Sequence, residues 1–436
     1  MRNIPLQKTQ LFRTILILVG LASLMMLSCG ELNFPNPNAP DLENVPIQTL
    51  VSGAEAGMRI DYAIYLRAVS VVGREAYYFE PADPRYTGEL LFGRPDPGGF
   101  IVNRPWSARY RVVADCRFLL DKANNFSGAE KAGIEGFAKT IMAYQLLLNL
   151  NYLDENGIKL DFSGDLNAPM ASKAEAFAFI EQNLDEGYTA LQAAGDAFPF
   201  QLSSGFSGFD NPEGFAKFNR ALRARVAIYQ NKFQDALDAL DASFIDPNAP
   251  MDLGVYMVYG TGLGDQTNEI YENPEAPFVK FMAHPSFETD AEAGDQRFAS
   301  KVFKRSDVTK FDDLTTDLAI TVTESDVDRL PIIRNEELLL IRAEANIGLG
   351  KLADAQTDIN VVRQAAGLGP VTLTDADQAI NQLLHERRYS LFIEGHRWVD
   401  MRRFGRLDAL PIDRPDKDKI LDKMPIPETE LPESGG

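Results

Sequence analysis

The chain has 436 residues, 45% hydrophobic and 24% charged, the balance of a large folded protein and not of a disordered one. Lys and Arg number 43 against 63 Asp and Glu, a formal charge of −20. So acidic a surface repels phosphate backbones and excludes nucleic acid as a partner, and two cysteines make no disulfide framework.

The N-terminus reads as an address. Arg2, Lys8 and Arg13 precede an uncharged apolar run, Ile15 to Leu27, which has the length of a signal-peptide core and is too short for a comfortable membrane span. Ser28-Cys29-Gly30 then resembles a bacterial lipobox, with Met26 where Leu is usual. That resemblance implies cleavage before Cys29 and lipidation of its thiol, making residues 1–28 a signal peptide. The run Asn33-Phe-Pro-Asn-Pro-Asn-Ala-Pro40 can be neither helix nor central strand, so 29–45 reads as lipidated N-terminus and tether. Cys116 is left alone among Val112, Val113, Leu119 and Leu120 and reads as an inert core thiol.

The rest, 46–436, reads as one mainly helical domain. Phe79 to Pro105 is expected to be an irregular loop rich in Pro, Gly, Arg and aromatics, and Trp106 opens a helix that runs to Ala123. Phe137, Ile141, Tyr144 and Leu148 make an apolar stripe at helical spacing. A second stripe, Phe177 to Leu191, starts from Ser172 with Glu175 three residues on, a capping box. Phe218, Leu222, Val226 and Tyr229 form a third, followed after Asn231-Lys232 by Phe233, Leu237 and Leu240. Asp246 to Pro331 is a second irregular region, carrying Tyr256, Tyr259, Tyr271, Phe278, Phe281 and Phe287. Leu338, Ile341, Ala345 and Leu349 form a fourth stripe, followed after Gly350-Lys351 by Leu352, Ala355, Ile359 and Val362. A last helix is expected from about Asp375 to beyond Trp398.

Asn231-Lys-Phe-Gln-Asp-Ala236 matches Gly350-Lys-Leu-Ala-Asp-Ala355 in chemistry position by position. In each, a residue tolerant of the left-handed region ends one helix, and Ala sits where the next helix crosses it. This is the turn of a tetratricopeptide-type hairpin, a unit that stacks to bury its faces. Long loops with many aromatics between such blocks carry function more readily than disorder.

Enzyme motifs fail. His385-Glu386 lacks the second His of a zinc-protease helix, and Gly260-Thr-Gly-Leu-Gly264 lacks a βαβ context. Gly205-Phe-Ser-Gly208 lacks nucleophile-elbow spacing. Asp154, Asn156 and Asp161 around Gly157 hint at a calcium loop but miss EF-hand spacing and read better as a helix-to-loop turn. No cofactor or metal is expected.

The C-terminal third carries a resemblance. Arg329-Leu-Pro-Ile-Ile-Arg-Asn-Glu-Glu-Leu, the Gly350 hairpin, Leu384-His-Glu-Arg-Arg-Tyr through Glu394-Gly-His-Arg-Trp-Val-Asp-Met-Arg-Arg-Phe-Gly405, and Met424-Pro-Ile-Pro stand in order. Together they resemble the SusD/RagB family of outer-membrane nutrient-binding lipoproteins. The lipobox, the Trp106 helix and Gly294-Asp-Gln-Arg297 agree more loosely. The resemblance implies a tetratricopeptide-like, SusD-like scaffold (331–436 its C-terminal part) with a loop-rich ligand-facing half within 46–330. It implies a lipid-anchored protein on the outside of the outer membrane, acting as lid for a SusC-like TonB-dependent transporter. The preferred cargo is an oligosaccharide or polysaccharide. The same lid handling peptides or another oligomeric nutrient, and a secreted carbohydrate-active enzyme, are the alternatives. Sugar binding needs aromatic faces and polar groups for hydroxyls, for which Arg85, Tyr86, Phe92, Phe100, Asn103, Tyr256 and Tyr259 are the candidates. Glu386, Arg387, Glu394, Arg397, Asp400 and Arg402 read instead as paired charges that hold the scaffold.

Overall fold

The structure, a computed structural model, describes residues 45–165 and 167–431. Cys29 and the leader therefore lie outside the described residues. Helices α1 (Ile47–Arg59) and α2 (Tyr62–Val72) lead to a short strand, β1 (Ala76–Tyr78). Helices α3 (Phe100–Ala123), α4 (Gly128–Leu153), α5 (Lys173–Gln192), α6 (Pro212–Ile228) and α7 (Phe233–Asp241) follow. Each packs on the next, and α1 packs against α3. Strands and two short helices fill the next segment: β2 (Gly254–Met257), β3 (Phe281–Ala283), α8 (Ser286–Thr289), α9 (Gln296–Lys301), β4 (Val302–Phe311), β5 (Leu314–Ile320) and β6 (Leu330–Arg334). The helical layer then resumes with α10 (Asn335–Gly348), α11 (Leu352–Ala365), α12 (Ala376–Ser390) and α13 (Arg397–Arg403). The expected mainly helical scaffold of stacked hairpins is present.

The two hairpin turns agree bond for bond. Asn231 and Gly350 sit at φ 57° and 73°. Lys232 N donates to Ala227 O at 3.0 Å and Lys351 N to Asn346 O at 2.8 Å, the six-to-one bond that closes a helix end. Ala236 and Ala355 are fully buried at the crossings. The hairpins also stack on each other across the intervening segment, α7 and α6 both meeting α10. At that contact the Phe233 ring lies over Gly348, where an added Cβ would come within 2.4 Å of it. Gly348 is glycine because an aromatic residue occupies the space.

The α5 capping box is complete: Glu175 N donates to Ser172 Oγ at 3.3 Å, and Ser172 N to Glu175 Oε2 at 2.8 Å. Cys116 is buried and unpaired, and burial pushes its thiol pKa up, as an inert thiol requires. Among the described residues no helix is long and apolar enough to cross a membrane.

Three expectations need correction. The Trp106 helix starts earlier, at Phe100, and contains Pro105. Proline removes the amide that would bond Ile101 O, and the Tyr152 hydroxyl donates to that carbonyl instead, at 2.8 Å. The last helix stops at Ser390. Ile393 at φ 63° and Gly395 at φ 84° turn the chain into α13, burying Trp398, whose Nε1 donates to Leu421 O at 2.7 Å. Finally, the region 246–331 is ordered by strands, in one antiparallel sheet of order β1-β3-β5-β4 and a β2-β6 pair. Strands β1, β2 and β3 are only three or four residues long and show no period of their own, and their partners are distant: Tyr77 faces Met282, and Gly254 faces Arg334.

The charged cluster of the C-terminal third is paired inside this scaffold except for Arg397, which was expected among the paired charges but makes no ion pair among the described residues. Arg387 Nε meets Asp400 Oδ2 at 2.6 Å across the α12–α13 turn. Arg403 holds both Asp400 and Glu344, and Arg363 bridges Glu386 and Glu292. Bidentate Arg–carboxylate forks of this kind fix orientation as well as charge.

Candidate functional site

The α1–α2 turn, the loop after β1 and the loop after β2 together build one aromatic and charged face. Helix α2 is apolar and almost wholly buried except for Arg67, whose guanidinium lies 4.6 Å from the Tyr78 ring and donates to Glu269 O. A lone arginine in so apolar a helix is the sequence signal that marks this face, and no other reading of the chain used it. Tyr78 packs on Tyr86, and Tyr86 on Phe100, with centroids 4.7 and 6.2 Å apart. Arg85 covers Phe100 at 5.2 Å. Beyond Glu269, Arg59 lies 5.8 Å from the Tyr259 ring, donates to Val258 O and pairs with Asp265. Arg329 lies 3.8 Å over Tyr256. Four guanidinium–aromatic pairs therefore run along these loops, each worth about 0.5–2 kcal/mol as a cation–π contact.

Of the sequence candidates, Arg85, Tyr86 and Phe100 come together here, and Tyr256 and Tyr259 join the same face through Arg59. Their exposures differ. Phe100 and Tyr259 are half-buried, and the Arg85 side chain is 40% exposed between Asp83 and Glu89. Tyr86 and Tyr256 are 3% and 6% exposed, which corrects the expectation that either offers a free ring. The loop at Tyr86 folds into a π-helical turn, Tyr86–Leu90, that buries Leu90 and Leu91 and draws the tyrosine inward. Phe92 lies away from these pairs, with Arg414 and Arg94 over its ring at 5.0 and 5.7 Å. Asn103 is a structural staple: its Nδ2 donates to Pro97 O at 2.8 Å and Gly99 O at 3.1 Å, anchoring the start of α3. Trp106 is core, 1% exposed, with Nε1 donating to Glu430 at 3.0 Å. Phe278, which the sequence placed only in a loop, is the better exposed ring at 42%.

Two clefts open beside Tyr256. The first, about 340 Å³, is lined by Gln48, Ser52, Glu55, Arg59, Gln201, Ser203 and Asp265. Burial raises the Glu55 pKa against its bonds from Ser203 and the nearby Arg59. Amide, hydroxyl, carboxylate and guanidinium groups converge here, the set that can serve sugar hydroxyls as donors and acceptors. The second, about 360 Å³, lies under Arg329 against Leu66, Phe392 and Leu330, with Arg334 and Glu394 paired in its wall.

Nothing in this face is arranged as a metal centre. Among the described residues no group of three or more His, Cys, Asp or Glu side chains could hold a metal ion. At the loop considered for calcium, Asp154 pairs with Lys173 and Arg402, and Asn156 donates to Met424 O, so both are spent on the turn.

Residues 306–430 match the SusD family, SusD_RagB. A SusD superfamily protein from Bacteroides vulgatus ATCC 8482 superposes with a TM-score of 0.68 at 16% identity, over 89% of this chain and 96% of that one. Surface glycan-binding protein A from Bacteroides thetaiotaomicron gives 0.66 at 16% identity, covering 88% and 96%. A laminarin binding SusD-like protein gives 0.62 at 20%, covering 87% and 96%. No curated protein matches the sequence. At these identities the likeness is one of fold, and it spans both the helical scaffold and the loops it carries. The chain thus matches the SusD family over residues 306–430 and has a SusD-like fold over nearly nine-tenths of its length.

Proposed function

We propose that this protein is a non-enzymatic binding lipoprotein of the cell surface that captures a nutrient glycan, an oligosaccharide or polysaccharide. In this reading residues 1–28 are removed, Cys29 carries the lipid that holds the protein on the outer membrane, and 46–436 act as the lid of a SusC-like TonB-dependent transporter. The observation that carries it is the row of guanidinium–aromatic pairs ending in Tyr259 and Tyr256 beside a cleft lined with hydroxyl-matching groups. The names of two structural neighbours, one laminarin binding and one glycan-binding, support sugar as the cargo class.

Tyr259→Ala tests it. Truncating a stacking ring removes about 1–2 kcal/mol, a roughly ten- to thirtyfold weaker affinity. Calorimetric titration with laminarin should show that loss with the fold intact, the melting temperature falling by no more than loss of the Arg59–Tyr259 contact accounts for. Equal affinity for wild type and variant would remove Tyr259 from the site. Binding of peptides and of no oligosaccharide would transfer the lid to the other cargo class. The anchor is tested separately: Cys29→Ser should abolish partitioning into the detergent phase, and a variant that still partitions there has another anchor.

A further inference from the structure

A third pocket, of about 300 Å³, lies on α12 and α13 and shares no lining residue with either cleft. Leu384, Met401 and Ala409 give it apolar walls, and Arg388, Arg397 and Arg406 give it charge. The charges are not balanced. Arg388 pairs with Asp290 and donates to the Ser286 hydroxyl, both at 2.6 Å, yet its buried Nε has no partner. Its residue is only 8% exposed. Arg397 and Arg406 form no ion pair among the described residues, although the chain carries many more acids than bases. His385 adds a buried Nε2 with no hydrogen bond and a carboxylate, Glu292, at 3.5 Å.

The carboxyl that acts on Arg397 is Glu75, buried, with the Ile393 backbone N–H near it. Burial pushes its pKa up to about 8, against the pull of Arg397 and Arg388, so at neutral pH it is largely uncharged. Crowding is visible from the other side as well: burial, then Arg388, lowers the Arg397 pKa to about 10. Arg397 and Arg406 thus line a hollow whose lining carboxylate, Asp290, is already paired with Arg388. Guanidinium groups match the several oxygens of a sulfate or phosphate better than they match water. The hollow is also larger than a bare ion needs and falls at the small end of ligand-sized sites.

We propose that this pocket binds a sulfate or phosphate group carried as an ester on a sugar, with Arg397 and Arg406 supplying the charge and Met401 and Leu384 the surface under the ring. The probes are glucose 6-sulfate, glucose 6-phosphate, inorganic sulfate and glucose, titrated calorimetrically at constant ionic strength. The esters should bind saturably, glucose should not bind, and inorganic sulfate should bind more weakly than glucose 6-sulfate. Arg406→Ala should weaken ester binding at least about tenfold and Arg406→Glu should abolish it. Both variants should melt like wild type, because the Arg406 side chain makes no bond that holds the fold. Absence of saturable ester binding in wild type, or undiminished binding in Arg406→Glu, overturns the site. Inorganic sulfate binding as tightly as the ester overturns the sugar part of the assignment.

Discussion

Replacing Glu337 by Ala should cost about 3–5 kcal/mol of folding stability, the usual consequence of stranding one half of a buried ion pair. Glu337 stands in the first turn of α10, and Arg225 near the end of α6; their side chains are 1% and 5% exposed. Arg225 Nε and Nη2 donate to the two carboxylate oxygens, each at 2.6 Å, and Nη2 also donates to Ile332 O of β6 at 2.7 Å. One guanidinium therefore joins a helix of the first hairpin, the first helix of the second and the strand between them. Without Glu337 the charge stays buried with a carbonyl as its remaining bonded partner. The double variant Arg225→Met with Glu337→Leu removes both charges and should recover most of the loss. Denaturant unfolding measures both. A single variant as stable as wild type would mean that the two hairpins are not clamped there.

Stability should also peak at mildly acidic pH, because buried groups pull in opposite directions. Burial works to raise the pKa of Glu336 and Asp400, but Arg334 and Lys301 beside the first and Arg387 and Arg403 beside the second outweigh it, holding both at about 2. Their contribution is complete above the ordinary carboxylate range and is lost as pH falls towards 2. His396, lowered to about 4 by burial despite Glu337, stays neutral in the fold while the unfolded chain takes up a proton. It therefore costs stability as pH falls from about 6.5 to about 4. Glu75 works the other way. With its pKa raised to about 8, the folded state keeps a proton that the unfolded chain has released, so its contribution is full below about 4.5 and disappears as pH rises through 8. Melting temperatures should fall between about pH 6.5 and pH 8, by an amount worth roughly 1.5 kcal/mol. Glu75→Gln should flatten that limb and leave the acid limb intact. A wild-type profile level across that range would show that Glu75 is ionised in the fold at ordinary cost.

What the sequence made legible follows from how local each signal is. The hairpins were readable because a left-handed residue, a cap and a buried Ala sit within one turn of each other, as at Asn231–Ala236 and Gly350–Ala355. The strands were not, because Ala76–Tyr78 is too short to show alternation and acquires its identity from Phe281–Ala283. The α12–α13 break was hidden for a related reason. Ile393 occupies a left-handed conformation that its branched side chain disfavours, so only tertiary packing reveals it. In the half read as ligand-facing, aromatic content marked the loops where guanidinium–aromatic pairs form but did not show which rings stay exposed. Burial of Tyr86 depends on a π-helical turn and on Tyr78, which lies on a different element. Arg67 and Arg59 were passed over because each sits in a helix, where sequence pattern assigns charge to solvent by default.

The segment between the hairpins has a consequence for how this chain can change. Its ends, at Asp241 and Asn335, are fixed by helices that pack on each other, so everything between them is thermodynamically one long closed loop. Closing such a loop costs entropy that grows only with the logarithm of its length, about 0.6 kcal/mol for each doubling. Residues can therefore be added or removed at the Gly260–Gly264 tip, where Leu263 is fully exposed, with little effect on the clamp at Arg225. The cleft beside Tyr259 can be reshaped by insertion and deletion while the scaffold that holds it stays at constant stability. A lineage carrying this scaffold can reshape that cleft by altering chain length at a loop tip, without first acquiring compensating changes in its core.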